Sequence, residues 1–381
     1  MRFWLVPLTL LLATWGITSR SARAVDALRP RAAPRQPVVL GYYASWETGL
    51  KPAAIRYDRF THLNHAFAEI DREQGTVVKG ETIPNDELIR LAHVAGVKVL
   101  LSVGGADSGA QYLNEKGANP DWRRSLVNSL VDTVLERKYD GIDVDWEFPS
   151  VDGQPEQSKA NTTNMGLFVA ELDARLRERA PEALLTMAIP AGRYNGQWFR
   201  PEALAPHLNF VNVMTYDFHG PWSGHSGHNA PLFPVPEDAE DGTFTNTAAG
   251  MAYARDVLRW PKEKLVVGIP SYGRQFEGRK LHEKLGPSPK CLEVRYTEAL
   301  ARLGSGWRMH WDEAGKVPWL DHPDLPQVVT YEDPRSAEEK GRWAKEQRYA
   351  GIFFWEISQD FTGGDHALVA AARRGYLGSR Q

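Results

Sequence analysis

The feature that most constrains this chain is a rhythm of eight short apolar segments, most of them followed by an amphipathic stretch. The segments are Val38–Tyr43, Phe60–Ile70, Lys98–Val103, Gly141–Phe148, Leu184–Ile189, Phe210–Tyr216, Leu265–Ser271 and Gly351–Ile357. Several are unbroken apolar runs, the pattern of parallel strands covered on both faces. Asp86–Ala95, Trp122–Arg137 and Met165–Arg179 have helical spacing, with Asp121 placed to cap the second. Eight strands alternating with helices predict an α/β fold, a closed TIM (β/α)8 barrel. An open doubly wound sheet is the other reading of the same rhythm.

The rhythm breaks once. Gln275 to Tyr349 is too long for one crossover helix and holds three short strand-like runs, Trp307–Trp311, Val317–Leu320 and Val328–Tyr331, then a helical run, Ser336–Gln347. We therefore expect a small α+β insertion domain at 275–349 between the seventh and eighth strands, ending in the helix before the eighth. The barrel occupies 38–274 and 350–381.

Ahead of the barrel, Met1-Arg2 opens a short basic region, Phe3–Trp15 is largely apolar, and Ala22-Arg23-Ala24 offers a small-x-small cleavage site. Residues 1–24 read as a signal peptide, since the apolar run is too short to span a bilayer. The expected product is secreted, extracellular or periplasmic, with no membrane partner after cleavage. Residues 25–37, rich in Arg, Pro and Ala, read as a disordered leader. A formal net charge of −3 without a long basic run argues against nucleic acid as a partner. The single cysteine, Cys291, excludes an internal disulfide and any multi-cysteine metal site; a buried or incidental thiol is expected. The chain carries 13 Trp, 13 Tyr and 14 Phe, enough for both a core and a cleft that stacks on sugar rings.

The chemistry concentrates in Asp140-Gly-Ile-Asp-Val-Asp-Trp-Glu-Phe-Pro149. Period-two alternation puts Asp143, Asp145 and Glu147 on one strand face and Ile142, Val144 and Trp146 on the other. Inward-facing carboxylates make poor core, because each costs several kcal/mol unless paired or protonated. Pro149 ends the strand, so Glu147 falls at the C-terminal mouth, where barrel active sites sit. Close like charges share protons, and a carboxyl that keeps its proton near neutrality is a general acid. A carboxylate metal triad is the competing reading of these acids.

Asp140-x-x-Asp143-x-Asp145-x-Glu147 resembles the DxxDxDxE signature of family-18 glycoside hydrolases, the chitinases and their relatives. Ser102-Val-Gly-Gly105 resembles that family's SxGG, and Met214-Thr-Tyr216-Asp217 its MxYD. Tyr272-Gly-Arg274, Trp355 and Tyr331-Glu-Asp-Pro-Arg-Ser336 fall in the family's order, the last at the exit of a chitinase insertion domain. The resemblance covers Val38 to about Leu377. It implies hydrolysis of β-1,4 bonds in chitin or chito-oligosaccharides, with no metal or cofactor and a monomeric chain. Glu147 is implied as general acid and base, and Asp145 as the group orienting the substrate's acetamido. Tyr216 would hold that group, and Asp143 would take part in proton sharing. Substrate-binding positions are implied at Tyr42, Phe67, Gly105, Phe148, Met214, Asp217, Arg274 and Trp355. Alternatives on the same fold are an endo-β-N-acetylglucosaminidase acting on glycans and a chito-oligosaccharide-binding lectin. Two departures bear on oligomer affinity: Ala106 stands where the family often has Trp after SxGG, and Phe148 where many members have Tyr.

His219, His225 and His228 cluster after the sixth strand, but their Gly and Ser neighbours read as a mobile loop, and no metal is expected there. His62 and His65 fall on opposite strand faces, and Asn161-Thr162-Thr163 is a glycosylation sequon.

Overall fold

The computed structural model describes residues 29–78, 80, 83–106, 111–238, 244–286 and 290–378. The signal segment 1–24 and the first leader residues lie outside them. Eight parallel strands close into a barrel: Val38–Ala44, His62–Ala66, Lys98–Gly105, Gly141–Trp146, Leu184–Pro190, Phe210–Met214, Leu265–Pro270 and Gly351–Trp355. Each pairs with its predecessor and successor in sequence, and the first closes on the eighth. The open-sheet alternative is thereby excluded.

Alternation sorts each strand's side chains into two cores. Inside the barrel, Val38, Leu40, Tyr42, Ala66, Phe210, Val266 and Phe353 pack together. Outside it, Ile142, Val144 and Trp146 meet the helices through residues such as Leu126, Phe168 and Leu172. The helix Asp86–Val94 starts where the periodicity predicts, and the other two predicted helices begin earlier. The second runs Pro120–Arg137, and its cap is Asn119, not Asp121: the Asn119 side chain accepts from the backbone N–H groups of Asp121 and Trp122. The third runs Pro155–Arg179. Asn161 lies within it, fully buried, and donates from Nδ2 to the carbonyl of Pro149 at 2.9 Å. This asparagine is a brace for the turn after Glu147 and is closed to glycosylation.

The insertion is a five-stranded antiparallel sheet, in spatial order Cys291–Arg295, Tyr272–Glu277, Gln327–Thr330, Val317–Asp321 and Arg308–Asp312. It starts at Tyr272, three residues ahead of the expected boundary, and also holds a short helix, Tyr296–Leu303. The closing helix Pro334–Glu346 packs on the C-terminal helix Ala367–Leu377. Cys291 is half-buried and free.

The leader reading needs correction from residue 29 on. Residues 29–37 have no regular structure, but Arg31 is buried and anchored. Its guanidinium donates to Asp173 at 2.6 Å and to the carbonyl of Ala183 at 2.5 Å. Lys264 Nζ donates to the Arg31, Ala205 and Leu208 carbonyls. Among the described residues no helix is long and apolar enough to cross a membrane.

Candidate active site

The fourth strand delivers its acids inward. Asp143 is fully buried and Asp145 nearly so, with half-buried Glu147 just beyond the strand end. Asp143 sits in register between Ser102 on the third strand and Thr186 on the fifth. Its carboxylate accepts from Ser102 Oγ at 2.8 Å, Tyr42 OH at 2.8 Å, Thr186 Oγ1 at 2.6 Å and Asn212 Nδ2 at 3.3 Å. Burial pushes the Asp143 carboxyl up, and the bonds from Thr186, Tyr42 and Ser102 hold that rise in check.

Asp145 has no such shell. Burial first, then the charges of Glu147 and Asp143, push it well above the usual carboxylate range, and it shares a hydrogen bond with Glu147. Asp145 therefore takes up its proton at higher pH than a free carboxylate does, and the pair titrates together. Its Oδ1 is buried without a partner. The close approach of the third strand depends on glycine. At Gly104, φ +112°, a Cβ would come within 2.0 Å of the Asp145 carbonyl oxygen.

Aromatic rings surround this line. Trp355, at the end of the eighth strand, stacks on Phe67 at 5.7 Å and 22° and lies 5.3 Å from Tyr42. Phe67 presses against Gly105, where a Cβ would meet its ring at 2.4 Å. Met214 and Tyr216 pack against the same inner cluster. Burial, then the charges of Glu147 and Asp145, raise the Tyr216 hydroxyl well above its ordinary value, so it stays protonated as a donor. Asp217 pairs with Arg274 at 2.5 Å. The peptide bonds Ala66–Phe67, Glu147–Phe148 and Trp355–Glu356 are cis, and all lie at strand ends in the mouth.

The structure thus brings together Asp143, Asp145, Glu147, Tyr216, Tyr42, Phe67, Gly105, Met214 and Trp355, with Asp217 and Arg274 beside them. Phe148 is placed differently. Its ring packs against the helix-side core, as alternation from Glu147 requires, and its carbonyl accepts from Asn114 Nδ2 at 2.9 Å. It does not join the aromatic group of the mouth.

Two residues at the mouth, Trp46 and Trp222, escaped the sequence reading, and Tyr272 stood in the Tyr-Gly-Arg motif without a site role. Trp46, 52% exposed, continues the stack on Phe67 at 5.9 Å and 24°. Tyr272 lies 6.1 Å from Tyr216 and hydrogen-bonds Asp217. Trp222, also exposed, covers the Arg274 guanidinium at 5.5 Å. The only sequence signal for Trp46 and Trp222 is a position two and eight residues beyond a strand that carries a site residue. The histidine-rich loop is also not what its Gly and Ser suggest: His219 and His228 are buried.

A closed barrel whose mouth combines a line of acids with stacked aromatics defines the class of the site. The profile of glycosyl hydrolases family 18 matches residues 38–360, and the chain belongs to that family. It is 28% identical over 357 residues to an endochitinase of Manduca sexta, an alignment covering 84% of this chain and 63% of that protein. It is 26% identical to chitinase 1 of Aphanocladium album, covering 89% of this chain and 85% of the relative. Against chitinase A1 of Niallia circulans the identity is 26%, over 93% of this chain and 59% of the relative. The chain thus spans under two thirds of the length of two of these relatives. Among solved structures, the Ostrinia furnacalis Group IV chitinase superposes with TM-score 0.80 at 26% identity, covering 90% of this chain and all of that one. Human YKL-39, described as a pseudo-chitinase with retained chitooligosaccharide binding, superposes with TM-score 0.79 at 26% identity over the same shares.

Proposed function

We propose that this protein is a secreted chitinase that hydrolyses β-1,4-N-acetylglucosaminide bonds with retention of configuration, using the substrate's own acetamido group as nucleophile. The observation that carries the reading is the Asp145–Glu147 pair: two carboxyls joined by a hydrogen bond, with one buried Asp145 oxygen left without a partner. Family-18 enzymes are an exception to the two-carboxylate scheme of retaining glycosidases. Glu147 donates its proton to the glycosidic oxygen, and the bond from that oxygen to the anomeric carbon breaks. The acetamido carbonyl oxygen attacks the anomeric carbon and forms an oxazolinium ring. Asp145 Oδ1 accepts the acetamido N–H, which gives that oxygen its partner, and the Tyr216 hydroxyl donates to the acetamido oxygen. The Glu147 carboxylate then takes a proton from water as the water attacks the same carbon and reopens the ring. Two inversions leave the configuration unchanged. Acid, base and nucleophile are all supplied by the chain and the sugar, so this scheme calls for no cofactor.

Trp355, with Tyr42 beneath it, offers a flat apolar floor for the reactive sugar, and Phe67 and Trp46 extend that surface outward. The N-terminal run supports export, and we take the chain to act as a monomer.

The similarity to YKL-39 gives a second reading, a lectin that binds chito-oligosaccharides without cleaving them. Glu147 favours the hydrolase. Release of a chromophore from a chito-oligosaccharide glycoside separates the two: steady turnover is expected, and tight binding without turnover sinks the enzyme reading. Cello-oligosaccharides, which carry a plain hydroxyl in place of the acetamido, are expected to be inert. Their efficient hydrolysis rules out substrate assistance.

A further inference from the structure

The loop after the sixth strand folds back on itself beside the insertion and gathers histidines and aspartates in two adjacent groups. His219, His225 and Asp238 form one, and His228, His282 and Asp312 the other; within each, the ligand atoms lie within 4.8 Å of one another. In the first group one nitrogen of each ring meets a backbone carbonyl, and the other two nitrogens meet a single carboxylate oxygen. His219 Nδ1 lies 2.8 Å from the carbonyl of His228, and His225 Nδ1 lies 3.0 Å from the carbonyl of Ser226. A carbonyl only accepts, so both Nδ1 atoms carry the hydrogen, and each neutral ring is left with its lone pair on Nε2. Both Nε2 atoms face the same carboxylate oxygen, Asp238 Oδ1, at 3.1 and 3.8 Å. The other oxygen, Oδ2, is taken by Thr245 Oγ1 at 2.7 Å.

With both rings neutral, three lone pairs converge on one point; with His219 doubly protonated, its Nε2–H donates to Asp238 Oδ1. His219 and Asp238 are each 2% exposed and His225 13%, so bulk water offers little relief. Such a meeting is stable only around positive charge, supplied by extra protons on the rings or by a metal ion.

The outer contacts favour the ion. A histidine that ligates a metal through one ring nitrogen typically donates its other N–H to a carbonyl or carboxylate, and a ligating carboxylate is itself hydrogen-bonded. His219, His225 and Asp238 each have that second contact in place. Metal–ligand bonds of about 2.0–2.2 Å put neighbouring ligand atoms roughly 3–3.5 Å apart. The His219–Asp238 spacing fits, and His225 needs a small ring rotation. Two imidazole nitrogens and one carboxylate oxygen suit zinc, nickel or cobalt rather than calcium or magnesium. In the neighbouring group, His228 Nδ1 and both His282 ring nitrogens are buried with no hydrogen-bond partner, which makes that group the competing site.

We propose that His219, His225 and Asp238 bind one divalent transition-metal ion of the zinc or nickel type, which ties down the loop carrying Asp217 and Trp222. The ion sits outside the carboxylate line, so its role is to hold the cleft wall in place.

The test uses the full chain stripped with chelator and dialysed. Titration with Zn2+ and with Ni2+ by calorimetry should show one equivalent bound, and Zn2+ should raise the thermal midpoint. Ca2+ and Mg2+ should do neither. His225→Gln, checked for fold by circular dichroism, should weaken Zn2+ binding roughly tenfold or more and lose the rise in midpoint. Asp238→Asn is the second variant and should behave alike. No uptake by the wild type overturns the proposal and leaves protonated histidines as the source of the charge. Uptake unchanged in His225→Gln overturns it equally, because the ion then lies on His228, His282 and Asp312 or elsewhere.

Discussion

Asp143 and Asp145 stand two positions apart on one strand and face the same way, yet their surroundings divide the work between them. Asp143 is held by four donors from four other strands, which fix its charge and position. Asp145 has Glu147 on one side and a vacant acceptor on the other. Replacing Glu147 with Gln keeps the size of the side chain but removes the transferable proton. Turnover should fall about 100- to 10,000-fold, while oligosaccharide affinity, measured by calorimetry, stays close to wild type. Activity within threefold of wild type removes Glu147 from the role of acid. Asp143→Asn takes one negative charge out of the line, so the proton held by Asp145 and Glu147 is held less tightly. The basic limb of kcat/KM against pH should move to lower pH, with activity lost first on the alkaline side. An unmoved limb means that Asp143 is not coupled to the acid. The titration belongs to the group as a whole, so the shift is read as a macroscopic value.

Each element follows from a local rule, and the places where the rules compete are where the sequence is hardest to read. The helix Pro120–Arg137 starts at Asn119, whose side-chain oxygen accepts from the N–H groups of Asp121 and Trp122 at 2.9 and 3.2 Å. Asn119→Ala should cost about 1 kcal/mol in urea denaturation. Asp121→Ala removes only an exposed pair with Arg124 and should change stability by less than about 0.5 kcal/mol. The reverse order of effects overturns the cap assignment. Both residues are good caps, and Pro120 decides between them: proline is favoured at the first helical position, which puts the cap one residue earlier. The barrel strands were legible because burial on both faces leaves nearly continuous apolar runs. The carboxylate line was legible because charge at alternate positions of such a run has no packing explanation. The strand Cys291–Arg295 was not, since only Val294 on it is buried and the rest reads as polar loop. The first turns of Pro155–Arg179 were hidden for a similar reason, being polar on nearly every face. Trp46 and Trp222 were invisible because their value lies in what they stand beside, and no local pattern encodes that.

At the scale of the whole molecule, the insertion leaves the barrel after the seventh strand and returns through a buried ion pair. Glu332 and Lys340, 2% and 0% exposed, hydrogen-bond each other, and Ser336 Oγ donates to Glu332 at 2.6 Å. Burial pushes the carboxyl up and the amine down, and the contact between them opposes both shifts. Lys340→Met strands the carboxylate and should cost about 3–5 kcal/mol, whereas replacing both partners with apolar residues of similar volume should recover most of the loss. Chemical denaturation of the two variants makes the comparison, and a single substitution costing no more than the double one means that neither charge depends on the other. At the opposite end, Arg31 is gripped by Asp173, Ala183, Asn209 and Lys264. Ala183, Asn209 and Lys264 immediately precede the fifth, sixth and seventh strands. They therefore mark the pole farthest from Glu147. Whatever is joined ahead of residue 29 is joined there, so Arg31 acts as the fixed end of a handle. A molecule tethered by that handle to a surface, a bead or another domain presents its open mouth outward.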